Sequence, residues 1–253
     1  MAFGPQIAVT GMAWLTALGD DLESVWQALL EGKTGIRPLP YTGRLRNSLA
    51  APAMGAEIPP SKRLVKMACS TIRKALAQAG REASDPKVRL VLSTSLGAFL
   101  DEAASRTPLS GWAQEVAREL GAFALPIVVF TACSSGADAI LVGAELIRSG
   151  ASKCCVCGGA DVLTPNKRLA HSALGTMSPT HLRAFDQRHD GTLLGEGAGF
   201  IVLEADAPSL IKQNQRVIDP ARLYCELHYE KQPQILRLTT PKLKYVWGPV
   251  RSG

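Results

Sequence analysis

No stretch of this sequence approaches the roughly 18 uninterrupted apolar residues of a membrane span. The longest candidate, residues 120–133, is broken by Gly121 and Pro126, which excludes a transmembrane helix. Cysteine is sparse as well: six in 253 residues (Cys69, Cys133, Cys154, Cys155, Cys157 and Cys225) are too few for a disulfide scaffold. No basic residue precedes Lys33, so the N-terminus lacks the charged start of a secretory signal. Together these scarcities point to the cytoplasm, where reducing conditions keep cysteines as thiols.

A one-sided charge is missing from most of the chain. Lys and Arg number 28 against 22 Asp and Glu, a formal +6. Residues 209–253 alone hold eight basic and three acidic side chains, which leaves +1 for everything before them. A body so nearly neutral offers no electrostatic footprint for nucleic acid.

What the chain does have is 46% hydrophobic residues, enough at this length for a large core. Short apolar runs rich in branched residues recur at 7–9, 88–92, 127–130, 154–157 and 200–203, the pattern of strands covered on both faces. Helical segments separate them. Residues 61–79 place Leu64, Ala68, Ile72, Ala75, Leu76 and Ala79 on one face, with Ser61 as the expected cap and Gly80 as the stop. A second helix is expected over 111–120. A third, over 134–149, carries only Asp138, Glu145 and Arg148 as charges and is expected to be mostly buried. Strands alternating with helices predict an α/β layered fold with a mostly parallel sheet.

Two stretches lack period. Residues 37–60 hold five of the 16 prolines and read as an extended loop. Residues 161–197 form a long irregular stretch of the kind that is usually functional. After Ala207 the composition changes: two of the 23 glycines fall in the last 45 residues, and no helix or strand period is sustained. A boundary is expected near Pro208, with residues 208–253 an unrelated basic tail.

The strongest local feature is VVFTACSSGADAI, in which a strand ends and Cys133 stands at the first turn of a helix. Free backbone N–H groups and the positive end of the helix dipole favour a thiolate there. A thiol with a pKa near 8.5 is only about 3% ionised at pH 7, and lowering it by about one unit raises that fraction about eightfold. The same N–H groups suit the oxyanion of a thioester adduct. A second reading, a small buried hydrophobe, stays open on the elbow alone.

The sequence resembles the β-ketoacyl synthases, condensing enzymes of fatty-acid and polyketide synthesis in the thiolase superfamily. The likeness runs through IAVTGMAWLTALGDDLESVWQALLEGKTGI (7–36), STSLGAF (93–99), TACSSGADAILVGAELIRSG (131–150), GGAD (158–161) and RAFDQRHDGTLLGEGAGFIVLE (183–204). It implies that residues 1–207 form the N-terminal half of a thiolase-like fold, and that Cys133 is the nucleophile that takes an acyl chain from an acyl carrier protein. Decarboxylative condensation with a malonyl carrier would follow. The resemblance also implies carrier docking at Lys62, Arg63 and Lys66, where basic side chains suit an acidic partner. It implies a homodimer, or a heterodimer with another synthase chain. No cofactor is implied, because the substrates ride on the carrier's phosphopantetheine.

Departures are as informative. The family's Arg-Asp-Gly-Phe after FD is here His189, Asp190, Gly191 and Thr192. The two histidines, the lysine and the Gly-Phe-Gly-Gly-type loop of the family's second half do not occur in this sequence. Losing a proton-handling group typically costs about 10²- to 10⁴-fold in rate, so impaired condensation is expected, the alternative being a non-catalytic partner of a full-length synthase. Among the four histidines, His171, His181 and His189 fall in the irregular stretch and His228 in the tail, none at a spacing that orients it to Cys133. Cys154, Cys155 and Cys157 lie along one strand and alternate faces, which suits a core better than zinc. The glycines of GEGAG precede a strand, whereas a dinucleotide loop follows one.

Overall fold

A computed structural model of the chain describes residues 5–41, 43–101, 108–184 and 186–205. The expected tail, with His228 and Cys225, lies outside the described residues. Among the described residues, seven strands and five α-helices follow in the order β1 (Ile7–Leu15), α1 (Leu22–Leu30), β2 (Arg37–Pro38), β3 (Leu49–Ala50), α2 (Pro60–Gln78), β4 (Val88–Ser93), α3 (Gly111–Glu119), β5 (Ile127–Val129), α4 (Ser135–Arg148), β6 (Cys154–Asp161), α5 (Pro165–Ala173) and β7 (Gly197–Ala205).

The central sheet has the order β1-β7-β6-β4-β5. β4 pairs in parallel with β5 and β6, whereas β7 runs antiparallel to both β6 and β1. Four of the five strands therefore point one way and β7 alone runs against them, which gives the α/β fold with a mostly parallel sheet.

Strand alternation sorts the core into two layers. On one face, Leu90, Leu92, Cys154, Val156, Phe200 and Val202 meet Leu64, Met67, Ala68, Ile72 and Ala75 of α2 and Trp112, Ala113 and Val116 of α3. On the other, Val91, Cys155, Cys157 and Leu203 meet Ala139 and Ile147 of α4. α4 lies close against β6 because residue 143 is glycine: a Cβ there would overlap the Cys157 sulfur.

Three expectations need correction. α4 is not mostly buried: only Ser135, Ala139, Gly143 and Ile147 are covered, a single i, i+4 stripe against the sheet. Its outer side leaves Leu141 61% exposed, beside Phe123 at 69% and Leu125 at 79%. Few charges marked an apolar outer face, not a covered one. Ser61 does not cap α2, which starts with Pro59 at the cap and Pro60 behind it; proline at the first helical position needs no N–H partner. The irregular stretch 161–197 contains α5, capped by the Thr164 side chain on the Lys167 N–H.

Among the described residues no helix is long and apolar enough to cross a membrane.

Candidate acyl-accepting site

Cys133 is reached from the carboxyl end of β5. Thr131 is followed by Ala132 in the left-handed region, at φ 54°, and then by a short 3-10 turn over Ala132–Ser134 that leads into α4. Cys133 thus stands just before α4 and not within its first turn. A non-glycine residue in this conformation costs about 1–2 kcal/mol, so the turn must be held. Ser135 holds its inner side: its hydroxyl accepts from the Thr131 N–H at 2.9 Å and donates to the Ala132 carbonyl at 2.7 Å. Asp138 holds the outer side, accepting from the Thr131 hydroxyl and from the Ser134 hydroxyl at 2.7 Å. These hydroxyls keep the Asp138 carboxyl below its ordinary value. The strained turn presents the Cys133 thiol to solvent, whereas Cys69, Cys154, Cys155 and Cys157 are buried.

The thiol opens onto a cleft of about 370 Å³. Its walls come from the carboxyl ends of β4 (Ser93, Thr94, Ser95) and β6 (Gly159, Ala160, Asp161), the turn itself, and the start of β7 (Gly197, Ala198, Gly199). Ligands of open α/β sheets lie beyond the carboxyl ends of the strands, and β4, β5 and β6 all end here. The absence of side chains at 159, 197 and 199 leaves backbone at the surface of the cleft. A second cavity of about 320 Å³, in the 38–48 loop, is lined by no thiol, histidine or carboxylate.

The histidines stand elsewhere. His171 Nδ1 lies 3.0 Å from the Thr176 hydroxyl, His181 Nε2 accepts from Arg183 Nε at 2.9 Å, and His189 Nδ1 lies 2.9 Å from the Asp186 carbonyl. None of them lines the cleft. The buried thiols behave as core residues: burial pushes Cys69 and Cys154 up to about 12, and the hydrogen bond that Cys157 donates to Cys155, reinforced by burial, pushes Cys157 up. No group of metal-ligating side chains occurs among the described residues.

The three docking candidates on α2 separate. Lys62 and Lys66 are exposed, and Lys62 pairs with Glu115 at 2.7 Å. Arg63, expected on the same docking face, is only 5% exposed. It turns inward to Glu196 at 3.3 Å and donates to the Leu163 and Ile58 carbonyls. A residue one position along a helix points about 100° away, so Arg63 cannot share the solvent face of Lys62 and Lys66.

Sequence reasoning missed the groups behind the cleft. The Asp161 carboxylate accepts from the N–H groups of Ser95, Gly97 and Val162, and from the Ser95 hydroxyl and the Lys167 ammonium. Lys167 sits in the first turn of α5, a helix whose Thr164-Pro165 start was readable as a cap followed by proline.

The profile of the β-ketoacyl synthase N-terminal domain matches this chain over residues 5–112 and 107–208. The tetracenomycin polyketide synthase ketoacyl synthase alpha subunit of Streptomyces glaucescens is 28% identical, the match covering 79% of this chain and 57% of that protein. 3-Oxoacyl-[acyl-carrier-protein] synthase 2 of Synechocystis is 26% identical with the same coverage. Among solved structures, a β-ketoacyl synthase from Burkholderia phymatum superposes with a TM-score of 0.64 at 25% identity, covering 84% of this chain and 60% of that one. The ishigamide ketosynthase/chain length factor does so with a TM-score of 0.70 at 24% identity, which shows the shared fold. The chain spans about 57% of the length of these curated relatives. A matched profile over most of the chain, a superposable sheet and an exposed cysteine at the strand-to-helix turn make this chain a member of the β-ketoacyl synthase family, corresponding to its N-terminal domain.

Proposed function

We propose that Cys133 accepts an acyl group from the phosphopantetheine thiol of an acyl carrier protein, the first half of a 3-oxoacyl synthase reaction in fatty-acid or polyketide synthesis. The observation that carries this reading is the exposed thiol on a left-handed turn at the mouth of a cleft, ahead of the N-terminus of α4. Cys133 Sγ attacks the thioester carbonyl, and a carbon–sulfur bond forms as the carbonyl becomes an oxyanion. Collapse expels the pantetheine thiolate, which takes up the proton that Cys133 gave. Backbone N–H groups at the start of α4 stabilise the oxyanion. No metal or redox cofactor enters these steps.

Condensation makes a further demand. Decarboxylating a malonyl carrier and protonating the products requires proton-handling groups, and none of the described histidines lines the cleft. Acyl acceptance is therefore the part this stretch performs by itself. Lys62 and Lys66 supply an exposed basic edge of α2 for an acidic carrier, without the contribution of Arg63. The test is intact mass after incubation with acyl carrier protein or acyl-CoA. Wild type should gain one acyl mass that Cys133→Ala does not, and an unmodified wild-type chain would sink the reading.

One observation favours a second role. Phe123, Leu125 and Ile127, at and just before the edge strand β5, and Leu141 of α4 are exposed large apolar side chains. Exposed apolar side chains next to an unpaired sheet edge suit an interaction surface, for a homodimer or a heterodimer with another synthase chain. Light scattering should show association; a monodisperse, cooperatively melting monomer would count against it.

A further inference from the structure

Two residues that flank the Cys133 turn are tied to one oxygen of α4. Asp138 Oδ2 accepts from the Thr131 hydroxyl and from the Ser134 hydroxyl, the latter at 2.7 Å. Thr131 ends the approach from β5, Ser134 closes the short 3-10 turn, and Asp138 stands in the first turn of α4. The Ser134 hydroxyl also lies 2.9 Å from the Thr131 carbonyl, so it closes the turn whichever oxygen takes its proton. The carboxylate therefore brackets Ala132 and Cys133 between two hydroxyls and binds both to the helix. Hydrogen bonds to an ionised acceptor are about twice as strong as neutral ones, and these two hold the Asp138 carboxyl below its ordinary value, so it is ionised at neutral pH.

Ser135 works from the other side of the same turn. Its buried hydroxyl accepts from the Thr131 N–H and lies 2.7 Å from the Ala132 carbonyl and 3.3 Å from the Thr94 carbonyl, just beyond β4. That ties the turn to the sheet, whereas Asp138 ties it to the helix. The distinction matters for acyl transfer. The thiol sits on the turn, and the N–H groups suited to the oxyanion belong to the start of α4. Both reach one thioester carbonyl when turn and helix keep a fixed relation. Ala132 is left-handed, a conformation disfavoured for any residue with a side chain, so that relation depends on what braces the turn.

We propose that Asp138 is a positioning residue for acyl transfer, holding the Cys133 thiol in register with the N-terminus of α4 through Thr131 and Ser134. This rests on Cys133 as the acyl acceptor. Asp138 acts on the turn, and the thiol and the oxyanion donors do the chemistry. A first-turn acid also stabilises its helix by charge alone, and substitution separates the two effects. Both bonds fall on a single oxygen, so the amide oxygen of Asp138→Asn can accept both while the charge is gone. Asp138→Ala removes charge and acceptor together.

The experiment follows acylation of Cys133 by butyryl-CoA and its alkylation by iodoacetamide, both by mass spectrometry on the full chain. Alkylation forms no oxyanion, so it reads exposure and ionisation of the thiol but not its register with α4. Continued protection of Cys69, Cys154, Cys155 and Cys157 shows that a variant is folded. Asp138→Ala should acylate about 10- to 100-fold more slowly than wild type, since a misplacement of about 1 Å can cost about 10²-fold, and its alkylation should change by less than about threefold. Asp138→Asn should recover most of the acylation rate. Thr131→Val loses one hydroxyl, keeps the shape and should slow acylation too. The double variant with Asp138→Ala should be no slower than Asp138→Ala alone, because the two residues act through one bond. Should Asp138→Ala not fold, Thr131→Val gives the same comparison of acylation with alkylation. No acylation of wild type overturns the acyl-acceptor reading and this inference with it. Wild-type acylation that Asp138→Ala matches overturns the inference alone, as does an Asp138→Asn variant as slow as Asp138→Ala, or a parallel fall in acylation and alkylation.

Discussion

Arg63 and Glu196 form a buried ion pair, with Nη2 3.3 Å from Oε2 and both side chains almost fully covered. Glu196 also accepts from the N–H groups of Ala53, Met54 and Leu163, and Arg63 donates to the Leu163 carbonyl. The pair joins α2, the loop before it, the β6–α5 connection and the entry to β7. Glu196 precedes Gly197, which lines the Cys133 cleft, so this network fixes one wall of the site from behind.

Removing one partner leaves the other charge buried. Glu196→Ala should destabilise the fold by about 3–5 kcal/mol, the usual cost of breaking a buried pair, read as a lower urea midpoint. Glu196→Gln keeps acceptors for the backbone N–H groups and should lose less. Equal losses in the two variants would show that the charge contributes nothing.

Thiol labelling should separate the cysteines by burial. In the native protein iodoacetamide should modify Cys133 and leave Cys69, Cys154, Cys155 and Cys157 protected, as peptide mass spectrometry would show. With Cys69 and Cys154 pushed up to about 12, raising the pH to 9 should leave those two unlabelled. Comparable labelling of the β6 cysteines would contradict the packing of α4 on the sheet.

Much of the fold was legible because the runs of β4 and β6 are continuous and apolar and are covered on both faces, whereas the run at 127–130, expected to be covered likewise, is the edge strand β5 with Ile127 exposed. Cys133 was legible because a strand, a sharp turn and a helix follow one another within 13 residues of VVFTACSSGADAI. Two things could not be read. Whether an apolar helix face is covered depends on what packs against it, so the composition of α4 said nothing about Leu141. Which way Arg63 points depends on Glu196, 133 positions away in the chain. The Ser95–Asp161–Lys167 cluster also joins three separate segments, and no local pattern marks it.

Acid should loosen the 178–192 loop. The Ser178 hydroxyl holds the Asp190 carboxyl below its ordinary value of 3.8. A carboxylate lowered on folding stabilises the native state above its unfolded pKa, and that contribution is lost as pH falls through the lower folded value. Hydrogen exchange at the Ser178 and Thr180 amides should therefore accelerate below pH 3.8 in wild type. Asp190→Asn should exchange faster already at neutral pH and show less change with acid. A wild-type loop insensitive to pH between 5 and 2 would refute this.

The approach of α4 to β6 gives the last prediction. A Cβ on Gly143 would overlap the Cys157 sulfur and touch Cys155 Cβ at 3.3 Å, and both cysteines are fully buried. Gly143→Ala normally favours a helix by about 1 kcal/mol. Overpacking here opposes that gain with about 1–3 kcal/mol, so the net change should be destabilising. Cys157→Ala removes the sulfur and leaves a small void, itself destabilising. Placed together, the two substitutions should fill each other's space, and the double variant should be more stable than the sum of the single changes, a coupling readable in a double-mutant cycle. Because α4 begins two residues after Cys133, the same cycle bears on the site. Gly143→Ala should slow acylation of Cys133 if it lifts the helix from the sheet, and Cys157→Ala should restore the rate. Additive stabilities would mean that the helix does not rest on Cys157.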